Sequence, residues 1–258
     1  MDPVAFQIGA FPIRWYGILM SSAIAVAAFM AYKESERQGI DPEHILNLII
    51  IAIPAAILGA RLYFVIFSGN LSFYLKNPFE ILATWHGGLA IHGGLIAGIA
   101  AGYFYVMKSN LSFLKMADLI APSIPLGQAI GRWGNFFNQE AHGGPVSYAF
   151  ISRFPEFIQK GMYIDGQFYH PTFLYESLWD LLVFMFLIFL RRKNFIKTGD
   201  VFFSYLLLYS SGRFFIEGLR TDSLMLGPIR VAQLVSLAAA VIAVVLIVRN
   251  HKKNDLRA

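Results

Sequence analysis

Long apolar runs separated by short polar connections dominate this chain. A helix needs roughly 20 mostly apolar residues to cross a bilayer. Runs of that kind cover residues at about 14–33, 45–67, 88–107, 117–137, 171–190, 199–217 and 229–249. The pattern therefore predicts an all-α integral membrane protein with seven transmembrane helices, forming a single membrane domain over residues 1–258. Pro54, Pro122 and Pro125 lie inside two of these spans and predict kinks.

The longest connection, at about 138–170, lies between the fourth and fifth predicted spans. It carries Gly143, Gly144, Pro145, Pro155 and Gly161. Glycine and proline at this density interrupt helices and mark turns. We therefore expect a small ordered segment outside the membrane, on the outer face.

Composition agrees with the bilayer as the solvent of this chain. Hydrophobic residues make up 57% of it and charged residues 14%, against about 45–50% and 25% in soluble domains. The net charge of +5 comes from short cationic clusters between apolar runs. Because no basic face could follow a phosphate backbone, we expect no nucleic-acid partner. The sequence contains no cysteine, which excludes disulfides, cysteine-based zinc sites and an internal thiol nucleophile.

Lysine and arginine set the expected orientation, because they accumulate in cytoplasmic loops. Of the 21 in the chain, twelve fall after spans one, three and five or in the C-terminal tail, six fall on the other side, and Arg61, Arg132 and Arg213 lie inside spans. The N-terminus is therefore predicted outside and the C-terminus in the cytoplasm. The excess comes mainly from Arg191, Arg192, Lys193, Lys197, Arg249, Lys252, Lys253 and Arg257.

With this orientation the polar residues of the spans share one depth, in the outer half of the membrane. Ionisable groups inside a span are costly and therefore indicate function by default. A single outward-facing site explains a common depth, whereas scattered structural ion pairs do not. The residues concerned are Tyr16, Arg61, His92, Arg132, Asn135, His170, Tyr175, Glu176, Arg213 and Glu217.

Structural roles compete with function at several of these positions. Arg61 could be a packing or snorkelling residue, and His170 could simply begin a helix before Pro171. Glu176 and Asp180, four residues apart on one helix face, are typical of an internal hydrogen-bonding stripe.

The two span arginines also have a structural alternative. Arg132 and Arg213 could form buried bridges with Glu140 or Glu217. Such bridges are compatible with function, because a carboxylate can hold an arginine in position for a phosphate.

The most informative segment is residues 131–143, which read GRWGNFFNQEAHG. Two glycines flank Arg132 and allow a helix or a lipid headgroup to approach closely. The segment matches the signature G-R-x-G-N-F-x-N-x-E-x-x-G at every specified position. Further motifs follow in the same order as in the family that carries it: WYG at 15–17, HGGL at 92–95, DLIAP at 118–122, HPTFLYE at 170–176, and R-x-x-x-E-x-x-R at 213–220.

Over essentially its whole length the chain resembles the prolipoprotein diacylglyceryl transferases. The resemblance implies a multi-pass enzyme of the bacterial cytoplasmic (inner) membrane, with its active site facing the outer leaflet. It implies that a cysteine thiol in the lipobox of a prolipoprotein signal peptide displaces sn-glycerol 1-phosphate from the membrane lipid phosphatidylglycerol. The product carries a thioether-linked diacylglyceryl group. Neither a metal nor a cofactor is expected.

The residues suit that chemistry. Arginine offers a planar fork of donors that binds phosphate and stays charged when desolvated, so Arg132 and Arg213 are the candidate phosphate clamp. His92 is the candidate base for the substrate thiol, with Tyr16 and His170 as weaker candidates and a packed histidine as the alternative. The catalytic set is thus His92, Arg132, Arg213 and Tyr16. The substrate-binding set is Arg132, Asn135, Glu140, Gly143, His170, Arg213, Glu217 and Arg220.

The sequence is also compatible with two other classes of protein. A different phospholipid-headgroup transferase or hydrolase would use the same arginines. A transporter would need polar residues through the full membrane thickness, and the inner half is nearly bare of them.

Overall fold

The computed structural model describes residues 1–255, with side chains as far as residue 252. Arg257 and the side chain of Lys253, both counted in the predicted cytoplasmic tail, lie outside the described residues. The chain forms two compact units: residues 1–30 with the described residues from 117 onward, and residues 31–116.

The structure is mostly helical. The helices are α1 (Trp15–Arg37), α2 (Glu43–Phe67), α3 (Leu71–Lys76), α4 (Phe79–Leu82), α5 (Ile91–Lys108), α6 (Phe113–Ile120), α7 (Ser123–Asn138), α8 (Tyr148–Ile151), α9 (Glu156–Gly161), α10 (Thr172–Leu190), α11 (Asp200–Glu217) and α12 (Val231–Asp255). Short strands join them: β1 (Val4–Ile8), β2 (Phe11–Arg14), β3 (Pro145–Val146), β4 (Tyr163–Ile164), β5 (Gln167–Tyr169), β6 (Met225–Leu226) and β7 (Ile229–Arg230).

By length and composition alone, four helices in the described part of the chain are suited to cross a membrane. They are Trp15–Arg37, Glu43–Phe67, Thr172–Leu190 and Val231–Lys252. Helices α5, α7 and α11 occupy the other three predicted spans, with 18, 16 and 18 residues. The structure therefore agrees with an integral membrane protein that is mostly helical.

The fourth predicted span, residues 117–137, is divided between two helices. α6 ends at Ile120, and α7 begins at Ser123 with Pro122 as its N-cap residue. Proline has no N–H to donate to the preceding turn, and its ring disfavours helical geometry in the residue before it. Pro125 is tolerated because it lies in the first turn of α7, where N–H groups have no partner within the helix. In contrast, α2 continues through Pro54.

Residues 138–170 are ordered around a small antiparallel sheet with strand order β3-β5-β4. A hydrophobic cluster holds this segment against the end of α7 and the start of α10, and Phe136 and Phe173 meet with ring centroids 4.5 Å apart. The buried members of this cluster are Phe136, Ile151, Ile158, Met162 and Phe173.

Two hairpins, β1-β2 and β6-β7, directly precede α1 and α12. The apolar pattern of the sequence predicts neither of them. Strands of two to five residues are too short to leave a clear alternation of apolar and polar positions.

In the unit of residues 31–116, glycine lets α2 and α5 approach each other closely. A Cβ atom at Gly59 would lie 2.6 Å from the carbonyl oxygen of Gly93, and a Cβ at Gly93 would lie 2.3 Å from that of Gly59. Contacts this short exclude any side chain at either position without a shift of the backbone. Small residues are a common means of close packing between membrane helices.

Arg61 on α2 has a structural role in the same unit. Its buried guanidinium donates to the carbonyl oxygens of Glu80 (2.6 Å), Ile81 (3.1 Å) and Gly88 (3.1 Å), and also to that of Gly87. Of the two roles left open by the sequence, packing therefore has direct support. The arginine holds the connection between α4 and α5 in place.

Candidate active site

A single buried carboxylate, that of Glu176 on α10, meets three arginines. Its Oε1 atom lies 2.7 Å from Nη1 of Arg213 on α11 and 3.5 Å from Nη1 of Arg220, just beyond α11. Its Oε2 atom pairs with Nη2 of Arg132 on α7. Two regions that are distant in sequence, α7 and the end of α11 with the loop after it, thus bring three guanidinium groups to one acceptor on α10.

Glu217 supplies a second buried carboxylate to two of these arginines. Its Oε2 atom lies 2.5 Å from Nη2 of Arg213 and 3.9 Å from Nε of Arg220. Residues four apart on a helix share a face, which explains the pairing of Arg213 with Glu217. The bridge suggested by the sequence between these two residues is therefore present.

Asp222 completes the set from the loop after α11. It accepts two hydrogen bonds from Arg220, Nε to Oδ1 at 2.9 Å and Nη2 to Oδ2 at 2.7 Å. The hydrogen bond from Arg220 lowers the pKa of Asp222 below its ordinary value, so its side chain is an anion at neutral pH. We call Arg132, Arg213, Arg220, Glu176, Glu217 and Asp222 the arginine–carboxylate cluster.

The polar end of α7 extends this cluster through amide groups. Asn135 lies 3.5 Å from Nη1 of Arg132 through its Oδ1 atom and donates to Glu140 at 2.9 Å. Asn138 also donates to Glu140, at 3.3 Å. The direct carboxylate partner of Arg132 is thus Glu176, and Glu140 is linked to the arginine through Asn135.

Backbone hydrogen bonds tie three loops together beside the arginines. Gly143 forms a β-bridge with Arg220 and donates its N–H to the carbonyl oxygen of His170 at 3.1 Å. Gly144 donates to the carbonyl oxygen of Leu219 at 3.0 Å. A Cβ at Gly143 would lie 2.6 Å from that of His170, so glycine is required where these loops meet.

The aromatic ring of Tyr16 packs on the helix that carries Arg132. A Cβ at Gly134 would lie 2.7 Å from Cδ2 of Tyr16, so the second glycine of the signature admits this ring. An open cavity of about 680 Å³ adjoins it, lined by Arg14, Tyr16, Ser21, Asn138 and other residues of β2 and α1. Tyr16 therefore lies between α7 and an exposed recess.

The two candidate histidines lie in different units. His170 pairs through Nδ1 with the hydroxyl of Tyr175 at 3.2 Å and packs against the ring of Phe150. Partial burial lowers its pKa, so the ring is neutral at pH 7. His92 is the second residue of α5, in the unit of residues 31–116, and its ring centroid lies 6.1 Å from that of Tyr63.

Two features of the site were not anticipated from the sequence. Glu176 looked like half of a hydrogen-bonding stripe with Asp180, yet it is the shared acceptor of three arginines. Asp222 is not among the residues predicted from the sequence, although an acid two residues after the R-x-x-x-E-x-x-R motif is a signal that points to it.

Asp180 itself lies one turn along α10 from Glu176, fully buried beside a cavity of about 10 Å³. Within the described residues, no hydrogen bond reaches its Oδ2 atom. The stripe suggested by the sequence thus divides into one ion-paired carboxylate and one that forms no ion pair with the residues that the structure describes.

The arrangement suits binding of an anion. Three guanidinium groups are fixed in a buried, mostly helical frame, and each has five N–H donors in a fork that fits oxyanions. Their carboxylate partners hold them in position and keep the cluster near charge balance. Preorganised donors of this kind stabilise negative charge more effectively than mobile solvent does.

Comparison with known proteins gives the family of the chain. The family model for prolipoprotein diacylglyceryl transferase matches residues 3–249. A protein of Clostridium novyi (strain NT) named phosphatidylglycerol–prolipoprotein diacylglyceryl transferase is 54% identical over 254 residues, which cover 98% of each chain. Proteins of the same name from Bacillus cereus (strain 03BB102) and Bacillus thuringiensis subsp. konkukian (strain 97-27) are 50% identical over 98% of this chain and 93% of theirs. The chain therefore belongs to the prolipoprotein diacylglyceryl transferase family.

Proposed function

We propose that this protein transfers the diacylglyceryl group of phosphatidylglycerol to the lipobox cysteine of prolipoproteins. The names of relatives at 50–54% identity state both substrates. The observation that carries the proposal is the meeting of Arg132, Arg213 and Arg220 at Glu176. A site for a phosphodiester lipid needs fixed, permanently charged donors, and arginine supplies them.

In the proposed mechanism Arg132 and Arg213 bind the lipid phosphate. Both contact Glu176, one at each carboxylate oxygen, so the two guanidinium groups lie on either side of one acceptor. A phosphate bound to their remaining N–H donors would be held in one pose. As its carbon–oxygen bond breaks, charge builds on the phosphate oxygen, and fixed cations stabilise that state more than the starting lipid.

The bond changes balance without a further reactant. The substrate thiolate attacks the glyceryl carbon that carries the phosphate oxygen, so a carbon–sulfur bond forms and the carbon–oxygen bond breaks. The bonding electrons leave with sn-glycerol 1-phosphate, and the proton of the thiol is released to a base. Asn135 and Glu140 orient Arg132 or the hydroxyls of the glycerol.

The base remains a choice among three residues, with His92 as our first candidate. A free thiol has a pKa near 8.5, so proton removal or an electropositive site must assist it at neutral pH. His170 is a second candidate, because its lowered pKa leaves it neutral and able to accept a proton. Tyr16 is the third.

The proposed topology has seven spans, the N-terminus outside, the C-terminus in the cytoplasm and the active site facing the outer leaflet of the bacterial inner membrane. The four helices suited to cross a membrane support it, as does the distribution of lysine and arginine. The segment at 138–170 then lies on the outer face.

An assay of the purified full-length protein tests the function directly. It is incubated with labelled phosphatidylglycerol and a lipobox peptide, alongside a matched peptide in which serine replaces the cysteine. We expect a thioether product and released glycerol phosphate with the cysteine peptide only. Lipid cleavage without peptide labelling would favour a hydrolase, and no lipid turnover would favour a transporter.

A further inference from the structure

The guanidinium group of Arg220 has one edge towards the protein interior and one towards the surface. Its Nη1 atom faces the buried Glu176 at 3.5 Å, whereas Nε and Nη2 form the two hydrogen bonds to Asp222. The side chain of Arg220 is 11% exposed and that of Asp222 is 50% exposed. The Arg220–Asp222 pair therefore lies at the open edge of the arginine–carboxylate cluster.

The geometry of this pair is also the geometry of a guanidinium bound to phosphate. Two parallel N–H···O bonds from one guanidinium can bind either a carboxylate or a phosphate. Asp222 thus fills, with its own carboxylate, a position that two oxygens of a phosphodiester could take.

Of the three carboxylates in the cluster, Asp222 is the one that can leave. Glu176 and Glu217 are buried, and removing one partner of a buried ion pair leaves an uncompensated charge at high cost. The Asp222 side chain is 50% exposed, so water can solvate its carboxylate when it moves away. Arg220, which is 11% exposed, keeps Glu176 as a partner. Of the three carboxylates, Asp222 is therefore the one that a ligand anion can replace most easily.

Arg220 can stay in place while Asp222 moves. The β-bridge to Gly143 and the hydrogen bond from Gly144 to the carbonyl oxygen of Leu219 hold the backbone on one side. On the other side, the hydroxyl of Thr221 donates to the carbonyl oxygen of His142 at 3.3 Å. The Asp222 side chain follows these anchors and faces water.

Charge balance favours exchange of one anion for another. The cluster pairs three arginines with three carboxylates, so departure of Asp222 alone leaves one uncompensated positive charge. A phosphodiester anion restores the balance, whereas an uncharged ligand does not.

We propose that Asp222 is a resident anion, which occupies one edge of Arg220 in the resting protein and is displaced by the same lipid phosphodiester that Arg132 and Arg213 bind. The proposal rests on the proposed function for the identity of that lipid. It makes Asp222 a specificity-determining residue: any ligand must bring its own negative charge to replace it.

The test compares Asp222→Asn with Asp165→Asn, a matched change at an exposed residue of the β4–β5 turn. In the transfer assay, Asp222→Asn should lower KM for phosphatidylglycerol by roughly two- to fivefold, because the competing charge is gone. Its kcat should change little, and Asp165→Asn should match the parent protein. An unchanged or higher KM in Asp222→Asn would overturn the proposal, since Asp222 would then be a spectator or a support for Arg220.

A second measurement does not depend on turnover. A ligand that binds only the folded state raises Tm, so inorganic phosphate is compared with chloride at equal ionic strength on the detergent-solubilised full chain. We expect a larger rise in Tm with phosphate for Asp222→Asn than for the parent protein, and a smaller rise for Arg220→Gln, in which Arg132 and Arg213 are still present. An equal rise in all three would overturn the proposal. Asp222→Asn could show the larger rise in Tm with phosphate while the parent protein transfers no lipid. That result would support displacement of Asp222 by an anion and contradict the proposed function.

Discussion

Glu176 shows how one side chain can organise a site. Its two oxygens serve Arg132 from α7, Arg213 from α11 and Arg220 from the following loop. Because the carboxylate is buried, salt screens its contacts with the arginines only weakly. The positions of the guanidinium groups, rather than their charge alone, are therefore what the structure controls.

Conservative replacement of the clamp arginines separates geometry from charge. Arg132→Lys and Arg213→Lys keep the positive charge but lose the fork, and an ammonium is hydrated more strongly than a guanidinium. We expect kcat/KM in the transfer assay to fall by about a hundredfold or more, as on removal of a preorganised donor. Arg153→Lys, at an exposed site between α8 and α9, is the control. Full activity in either clamp variant would indicate simple charge attraction.

The role of His92 is tested by a pH profile. His92→Gln keeps size and some hydrogen bonding but cannot accept a proton. If His92 is the base, raising the pH towards the thiol pKa should partly restore turnover, which is measured with a lipobox peptide from about pH 7 to 9.5. His170→Gln is measured in parallel, because a rescue confined to that variant would identify His170 as the base. A flat profile for His92→Gln would show that His92 binds substrate instead.

At the scale of elements, the site depends on close packing between the loops after α7 and α11 and the start of α10. Gly143 lies where the loop after α7, the start of α10 and the loop after α11 come together. The hydrogen bonds of Gly143 and Gly144 connect these segments independently of the ion pairs. Arg220 is thus fixed through its backbone as well as through Glu176.

Alanine at these two adjacent glycines makes a matched pair. At Gly143 an added Cβ would lie 2.6 Å from Cβ of His170 and 3.0 Å from the carbonyl oxygen of Leu219, whereas at Gly144 it would meet nothing within 4 Å. We expect Gly143→Ala to lower stability by roughly 1–3 kcal/mol, as overpacking does, and to reduce kcat/KM. Gly144→Ala should change neither the Tm nor the activity appreciably. Equal behaviour of the two variants would refute a packing role for Gly143.

At the scale of the whole molecule, topology connects the site to a membrane surface. The proposed depth of the polar residues holds only if the N-terminus is outside and the segment at 138–170 faces the same side. This sequence has no cysteine, so single cysteines can report the side of each loop without a background.

Labelling in intact cells with a membrane-impermeant maleimide gives the orientation. Ser152→Cys, between α8 and α9, should react, and Asn194→Cys, between α10 and α11, should react only after the membrane is opened. Both positions are exposed in the structure. The reverse pattern would reject the topology together with the depth argument.

The sequence alone determined the features that arise from local composition. Apolar runs long enough to cross a bilayer predicted the principal helices, because burial in lipid depends on the character of the segment itself. The ordered motifs likewise identified Arg132, Arg213, Glu217 and Arg220 and the family to which the chain belongs. These features can be predicted without knowing which segments of the chain are in contact.

Only the tertiary structure decided how those residues are paired. Glu176 lies 44 positions after Arg132, and nothing in the spacing of either residue identifies the other as its partner. Asp222, two residues after Arg220, and the break in the fourth span at Pro122 are local features, but the apolar pattern alone specifies neither. The ion pairs of Glu176 depend on the positions of distant segments in space, which local periodicity does not encode.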